Sequence, residues 1–387
     1  MVQLPYSGML ERFKDVPDPR IRPNRIYPWP FLWGLIGAAM ASACQTPAAI
    51  ARWIKEHHDE LLAALPPSLV RLPCESTIRR TLACVDANRL DAALTLLPTP
   101  VSPAPVQEAP ADPATSLVGQ AIDGKSVRGV TRDGHPCLLV SLVEHGSATV
   151  LAQEQVARKR DERSAVPVLL AGRDLRGIVI TVDALHTLKP TARLILDADG
   201  DYLMVVKKNQ ATLYEFLDIL FSLPAHPSDH EVWDQVGPSS EKGHGRLETR
   251  TLISGNAHIE DVEWPGVGQV IRRECERIEL KTGKLTRVVS YALTSLAPER
   301  ASAATLEALW RGHWTIENGL HYVRDVSFGE DAGHAATGST ARALASVRNA
   351  LLYLFRRAGW HLVPDALAHY GASIPRALTL VGLNVNT

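Results

Sequence analysis

GQAIDGKSVRG, Gly119 to Gly129, carries two incompatible readings. Its first eight residues fit the phosphate-loop pattern of a glycine, four residues and Gly-Lys-Ser, which cradles phosphate where a hydrophobic strand turns into a helix. The surroundings of the match supply neither element. Upstream lies a proline-rich stretch, and downstream VRGVTRDGHP offers β-branched residues, glycines and a proline where a helix should begin. Read as a strand, the segment places Ala121, Asp123 and Lys125 on one face, so that a carboxylate sits mid-strand with a cation two positions away. The strand reading is adopted, and it predicts that ATP neither binds nor is hydrolysed.

Working outward, HPCLLVSLVEHG and ATVLAQEQVA continue as strands separated by glycine-containing turns. SAVPVLLAG reads as a short helix, GIVITVDAL as a strand buried on both faces, TARLILDAD as a helix and DYLMVVKK as a second buried strand. Three consecutive strands followed by alternating helix and strand fit a mixed α/β domain. A further strand-rich stretch covers His230 to Leu296. Within it QVIRRECERIEL places Arg273, Arg277 and Lys281 on one face, with Cys275 and Glu279 between them, a pattern that suits either a phosphate backbone or a solvated sheet surface.

Asp183 repeats the odd placement of Asp123, because it ends the apolar run GIVITVDAL. A lone buried carboxylate is costly unless paired. A lysine, an arginine or a helix amide would satisfy either one, but two such groups on adjacent strands repel each other. A divalent cation between them removes the difficulty, and hard oxygen ligands favour magnesium or manganese. The third element is ATLEALWRGHWTIENGLHYVRDVSFGEDA. At the α-helical step, Trp310, His313, Glu317, His321 and Arg324 fall within a stripe of roughly 80°, with Asn318 beside it. Aromatic and histidine residues on a helix commonly pack. A glutamate among two histidines and an arginine instead suits a metal ligand set among phosphate-binding groups.

On the amino-terminal side, residues 98–117 form a linker whose Pro98 to Ser116 stretch holds six prolines, and residues 1–97 read as mostly helical. IARWIKEHHDELLAAL has helical spacing, and STIRRTLACVDANRLDAAL reads as one run capped by Ser76. Its Arg79 and Arg80 suit a solvated face or a DNA contact. Ile26 to Ala51 is uncharged and long enough to span a bilayer, yet Pro28, Pro30 and Pro47 together with Ser42, Gln45 and Thr46 favour a buried helix over a membrane or export segment. The 387 residues are 45% hydrophobic with a net charge of −1, so a sizeable core is available and any DNA contact rests on local basic faces. Five scattered cysteines without a Cys-x-x-Cys suit reduced thiols in a cytoplasm.

Taken in order, IDGKSVRG, TVDALHT, DYLMVVKKNQ, HGRLETR and HWTIENGLHYVRDVSFGEDA resemble the H-repeat-associated group of DDE insertion-sequence transposases, from about Leu10 to Trp360. The resemblance implies an α/β, ribonuclease H-like mixed-sheet catalytic core over 118–387, with a β-rich insertion at about 230–296 and a small, mostly helical domain in front. It assigns catalysis and metal binding to Asp123, Asp183 and Glu317, with two Mg2+ or Mn2+ ions activating first water and then a DNA 3′-hydroxyl. Related enzymes carry Tyr, Arg, Glu and Lys along the glutamate helix. This chain keeps only the glutamate and has Trp310, His313 and Arg324 at the other positions. DNA contacts are expected from Lys125, Trp310, His313, Asn318, His321 and Arg324, with Trp310 stacking on a base and Arg324 approaching phosphate. The implied partners are double-stranded DNA at element ends and target, and a second copy of the chain on that DNA; the implied place is the bacterial cytoplasm and nucleoid, with no membrane. A ribonuclease H-like nuclease without strand transfer and an inactive DNA-binding relic remain as alternatives.

Overall fold

The computed structural model describes residues 8–21, 26–65, 69–95, 117–132, 135–157, 161–222, 233–243, 245–256, 258–332 and 338–383. The proline-rich linker falls almost entirely outside them. Among the described residues nine strands form one mixed sheet: β1 Val118–Arg132, β2 His135–Glu144, β3 Val150–Val156, β4 Ile178–Val182, β5 Asp201–Val206, β6 Trp233–Gly243, β7 Arg246–Gly255, β8 Gln269–Glu279 and β9 Leu285–Thr294. Their order is β3-β2-β1-β4-β5-β9-β8-β7-β6. β1 to β3 pair antiparallel, β4 and β5 join β1 in parallel, and β9 returns antiparallel against β5. The first five strands make the ribonuclease H-like arrangement. The β6–β9 meander extends the same sheet instead of forming a second layer. β1 runs through the whole GQAIDGKS stretch, so no helix opens at Lys125 to hold a nucleotide.

The described residues also form twelve α-helices: α1 Trp29–Ala41, α2 Pro47–Glu56, α3 His58–Ala64, α4 Glu75–Cys84, α5 Ala87–Thr95, α6 Glu162–Leu170, α7 Lys189–Asp197, α8 Ala211–Leu220, α9 Ala303–Ile316, α10 Thr340–Arg357, α11 Val363–Gly371 and α12 Ile374–Val381. The run expected as one helix from Ser76 is two. Asp86 Oδ1 accepts the amides of Asn88 and Arg89 at 3.0 and 3.1 Å, starting α5 afresh. The uncharged segment folds as α1, only 13 residues long and buried along almost its whole length. No helix among the described residues is long and apolar enough to cross a membrane.

α6, α7 and α8 cover one face of the sheet around Ile122, Ile180, Val182 and Met204. α9 covers the other face around Val179, Leu203 and Ile271. A further cluster joins α1, α2, α4 and α5 to α10, α11 and α12 and reaches Ala121 and Val143 on the sheet. The amino-terminal helices therefore share their core with the carboxy-terminal ones. α9 itself is set at its amino-terminal end: Ser302 Oγ accepts the Thr305 amide, and Asp234 Oδ2 accepts the Ala303 amide at 2.6 Å.

Candidate active site

Asp123 lies on β1 opposite Ser141, Asp183 follows the last residue of β4, and Glu317 ends α9. The parallel pairing of Ile122 with Val182 brings the two aspartates to one edge of the β1–β4 pair. Beyond Ile316 the helix widens, because Glu317–His321 and Val323–Ser327 are π-helical. Ligand atoms of Asp123, Glu317 and His321 lie within 4.8 Å of one another. Asp183 stands outside that group, and its Oδ1 accepts the amides of Leu185 and His186 at 2.9 and 3.2 Å. It is near enough for its charge to act on Asp123. Burial, followed by the charges of Glu317, Asp183 and Glu162, pushes the Asp123 carboxyl up to about 7, although the Gly124 amide opposes the rise. Glu317 is held below the usual carboxylate range, chiefly by the His321 imidazole 3.8 Å away. An excess of carboxylate oxygen, with no lysine or arginine paired to Asp123, Asp183 or Glu317 among the described residues, is what a hard divalent cation requires. The donor set fits such an ion.

Two features behind this edge escaped the sequence reading. Glu162, at the start of α6, is buried with its carboxylate against Gly124, where an added Cβ would meet the Glu162 carboxyl carbon at 2.8 Å. His186 Nε2 lies 3.7 Å from the same carboxylate. Under α9, Thr181 Oγ1 lies 2.9 Å from His145 Nε2 and 3.0 Å from His313 Nδ1. The His145 ring fits between Gly119 and Gly312, where a Cβ at either would fall 2.1 or 2.2 Å from its Nδ1. Burial, with His313 adding to it, pulls His145 down to about 4, so this linkage is neutral and fixes α9 to β4.

Most residues assigned to DNA by the stripe are elsewhere. Arg324 is 0% exposed, and its Nε and Nη2 donate to Glu330 at 2.9 and 2.8 Å. The stripe assumed an unbroken α-helical step; the wider π turns after Ile316 carry Arg324 inward. Trp310 is 6% exposed in the α9–sheet core, with the Arg273 guanidinium 5.5 Å from its ring, so it is not a base-stacking platform. His313 is taken up by Thr181. Lys125, 7% exposed, pairs with Asp325 and lies 3.7 Å from Asp331, which makes it a carboxylate partner and not a phosphate contact. His321 is 7% exposed and faces Asp123 and Glu317 instead of solvent. Asn318 alone of the six is exposed.

Asn318 borders an open groove of about 910 Å³ between the α9 end and the β7–β9 face. Alternate residues of three strands line it, among them Arg246, Arg250, Arg273 and Arg277, together with Arg311 and the 56%-exposed Trp314 of α9. Glu248 offers one carboxylate to Arg246, Arg250 and Arg277, while Glu241 meets Arg250 and Arg311, and Glu307 meets Arg273. Five guanidiniums against three carboxylates leave the groove positive. The period-two face of β8 had pointed to Arg273 and Arg277; nothing in the sequence placed that face beside Glu317.

Comparison with known proteins gives a consistent picture. The family described as DDE_Tnp_1-associated matches residues 10–96, and the family described as Transposase DDE domain matches residues 115–355. A putative transposase, YncI, from Escherichia coli O157:H7 is 31% identical over 246 residues, 61% of this chain and 61% of its own length. The H repeat-associated putative transposase YhhI of Escherichia coli K12 is 28% identical over 241 residues, 59% of this chain and 61% of its own. The chain thus spans about three fifths of the length of these relatives. A piggyBac transposase synaptic complex with hairpin DNA aligns over 96% of this chain and 82% of that one, at 11% identity and a TM-score of 0.40. With the Transposase DDE domain covering more than half of its residues, the chain belongs to the DDE transposase family and has relatives in the H-repeat-associated group.

Proposed function

We propose that the protein is a metal-dependent DNA transposase that cuts donor DNA at element ends and joins those ends to a target by phosphodiester transfer. The observation that carries the reading is the convergence of Asp123 and Glu317, with Asp183 just past the end of the adjoining strand, while Asn318, the residue after Glu317, lines the arginine-rich groove. One or two Mg2+ or Mn2+ ions, if bound in this oxygen-rich site, would supply Lewis-acid activation of the attacking hydroxyl and stabilisation of the leaving oxygen. Asp123, Asp183 and Glu317 are the residues assigned to hold them. Arg246, Arg277 and Arg311 hold phosphates of the strand that enters from the β7–β9 side, Trp314 offers an exposed ring for a base, and Asn318 reaches the same strand beside Glu317. The same site serves both steps, since water and a DNA 3′-hydroxyl attack phosphorus alike. Residues 1–97 form the helical associated unit and 118–387 the catalytic unit, acting as a homodimer on paired ends in the bacterial cytoplasm.

The test is incubation of the purified chain with DNA carrying its own flanking element ends and a supercoiled plasmid, with Mg2+ or Mn2+. Nicked ends and plasmid-joined products are expected, and both disappear in Asp123→Ala. Cleavage without joining identifies a nuclease and refutes the transfer step. Metal-independent products, or none while DNA binding persists, refute the enzyme.

A further inference from the structure

His321 has the geometry of a metal ligand, and among the described residues its Nδ1 faces Asp123 and Glu317. Its Nδ1 points at Asp123 Oδ2 at 3.5 Å and at Glu317 Oε2 at 3.8 Å. Both separations exceed a hydrogen bond, whose N···O distance runs about 2.7–3.2 Å. They instead suit neighbouring ligands around one ion bound at about 2.0–2.2 Å. The ring is 7% exposed, and its Nε2 is buried with no hydrogen-bond partner among the described residues. The imidazole therefore does not sit there as a solvated surface group. The ring nitrogen and the two carboxylate oxygens, all within 4.8 Å of one another, are close enough to share one cation. The π-helical turn Glu317–His321 explains how the group is assembled, since the wider winding brings residues four apart closer to one line than an α-helix does.

Resting on the reading of this edge as a metal-dependent site, we propose that His321 Nδ1 directly ligates the cation held by Asp123 and Glu317, and that the mixed oxygen–nitrogen donor set favours Mn2+ over Mg2+. Carboxylates alone suit magnesium, and an imidazole shifts preference toward later, softer divalent ions. Asp183, with one oxygen turned to backbone amides, then serves the outer side of the site.

The experiment is pulsed electron paramagnetic resonance on the full chain loaded with Mn2+, alongside calorimetric Mn2+ and Mg2+ affinities. The wild type should show nuclear modulation from a directly coordinated imidazole nitrogen, and growth with 15N-histidine should convert it to the 15N pattern. His321→Gln should remove the modulation and weaken Mn2+ binding by about tenfold or more while changing Mg2+ binding less. Bound Mn2+ without nitrogen modulation in the wild type overturns the proposal, and that result needs no variant to fold. Modulation that persists in His321→Gln overturns it as well. Absence of any saturable Mn2+ binding sensitive to Asp123→Asn would instead sink the metal-site reading on which the proposal stands.

Discussion

Asp123 and Arg324 show how far a residue's chemistry depends on what faces it. Asp123 is held protonated up to about pH 7 by burial and neighbouring carboxylates, against 3.8 for a free aspartate. A raised acid pKa stabilises the fold below the free value and loses that contribution as pH rises through the folded value. The metal-free protein should therefore weaken between about pH 4 and pH 7. Metal binding, which needs the carboxylate, should tighten over the same window and level off above it. Calorimetry at pH 6 in buffers of different ionisation enthalpy should detect proton release on Mn2+ binding; buffer-independent heats would contradict it. Arg324 joins Glu330, which also binds Arg348 at 2.9 Å, in a fully buried cluster. Arg324→Ala should cost about 3 kcal/mol in urea unfolding, because the buried Glu330 carboxylate loses one of its two arginine partners. Unchanged stability with a shallower salt dependence of DNA binding would restore Arg324 to the DNA.

Among the elements, β1 and β4 were legible because an acid at the middle or end of an apolar strand is costly and therefore conspicuous. The glutamate helix was only half legible. Helical spacing placed Trp310 and His313 on the Glu317 side, but no residue pattern announces the change from α to π winding, and that change decides where His321 and Arg324 point. The docking of α9 was invisible for another reason: His145, Thr181 and His313 are far apart in sequence, and Gly119 and Gly312 look like ordinary turn or helix glycines. Gly312→Ala should force the His145 ring aside and cost about 1–3 kcal/mol, the usual range for overpacking, with larger losses in metal affinity than a surface alanine in α9 produces. Thermal unfolding and Mn2+ titration of the two variants decide this. Equal behaviour would mean that the Thr181 linkage does not position Glu317.

Over the whole molecule, the continuous sheet is what lays a basic face beside an acidic edge. β9 pairs with β5 as well as with β8, so the β6–β9 meander is rigidly joined to the strands that carry the aspartates. A near-neutral chain thereby presents a local positive groove, which overall charge does not reveal. Arg277→Ala should lower DNA affinity and make its salt dependence shallower by about 0.9 in the log–log slope, one phosphate contact. An unchanged slope would leave the groove without a role in DNA binding. The shared core of the amino- and carboxy-terminal helices also went unread, since residues 9–94 and 316–383 meet only in three dimensions.

The most direct measurement compares Glu317→Gln with the wild type on the same element-end DNA, following binding and cutting in parallel with Mn2+ present. The substitution keeps the size of the side chain and removes the charge that faces Asp123 and His321. DNA binding should persist with the same salt dependence while cleavage and joining fall by orders of magnitude. A glutamine variant that still cuts, or one that loses DNA binding along with cutting, contradicts the assignment of this edge as the metal-dependent catalytic centre.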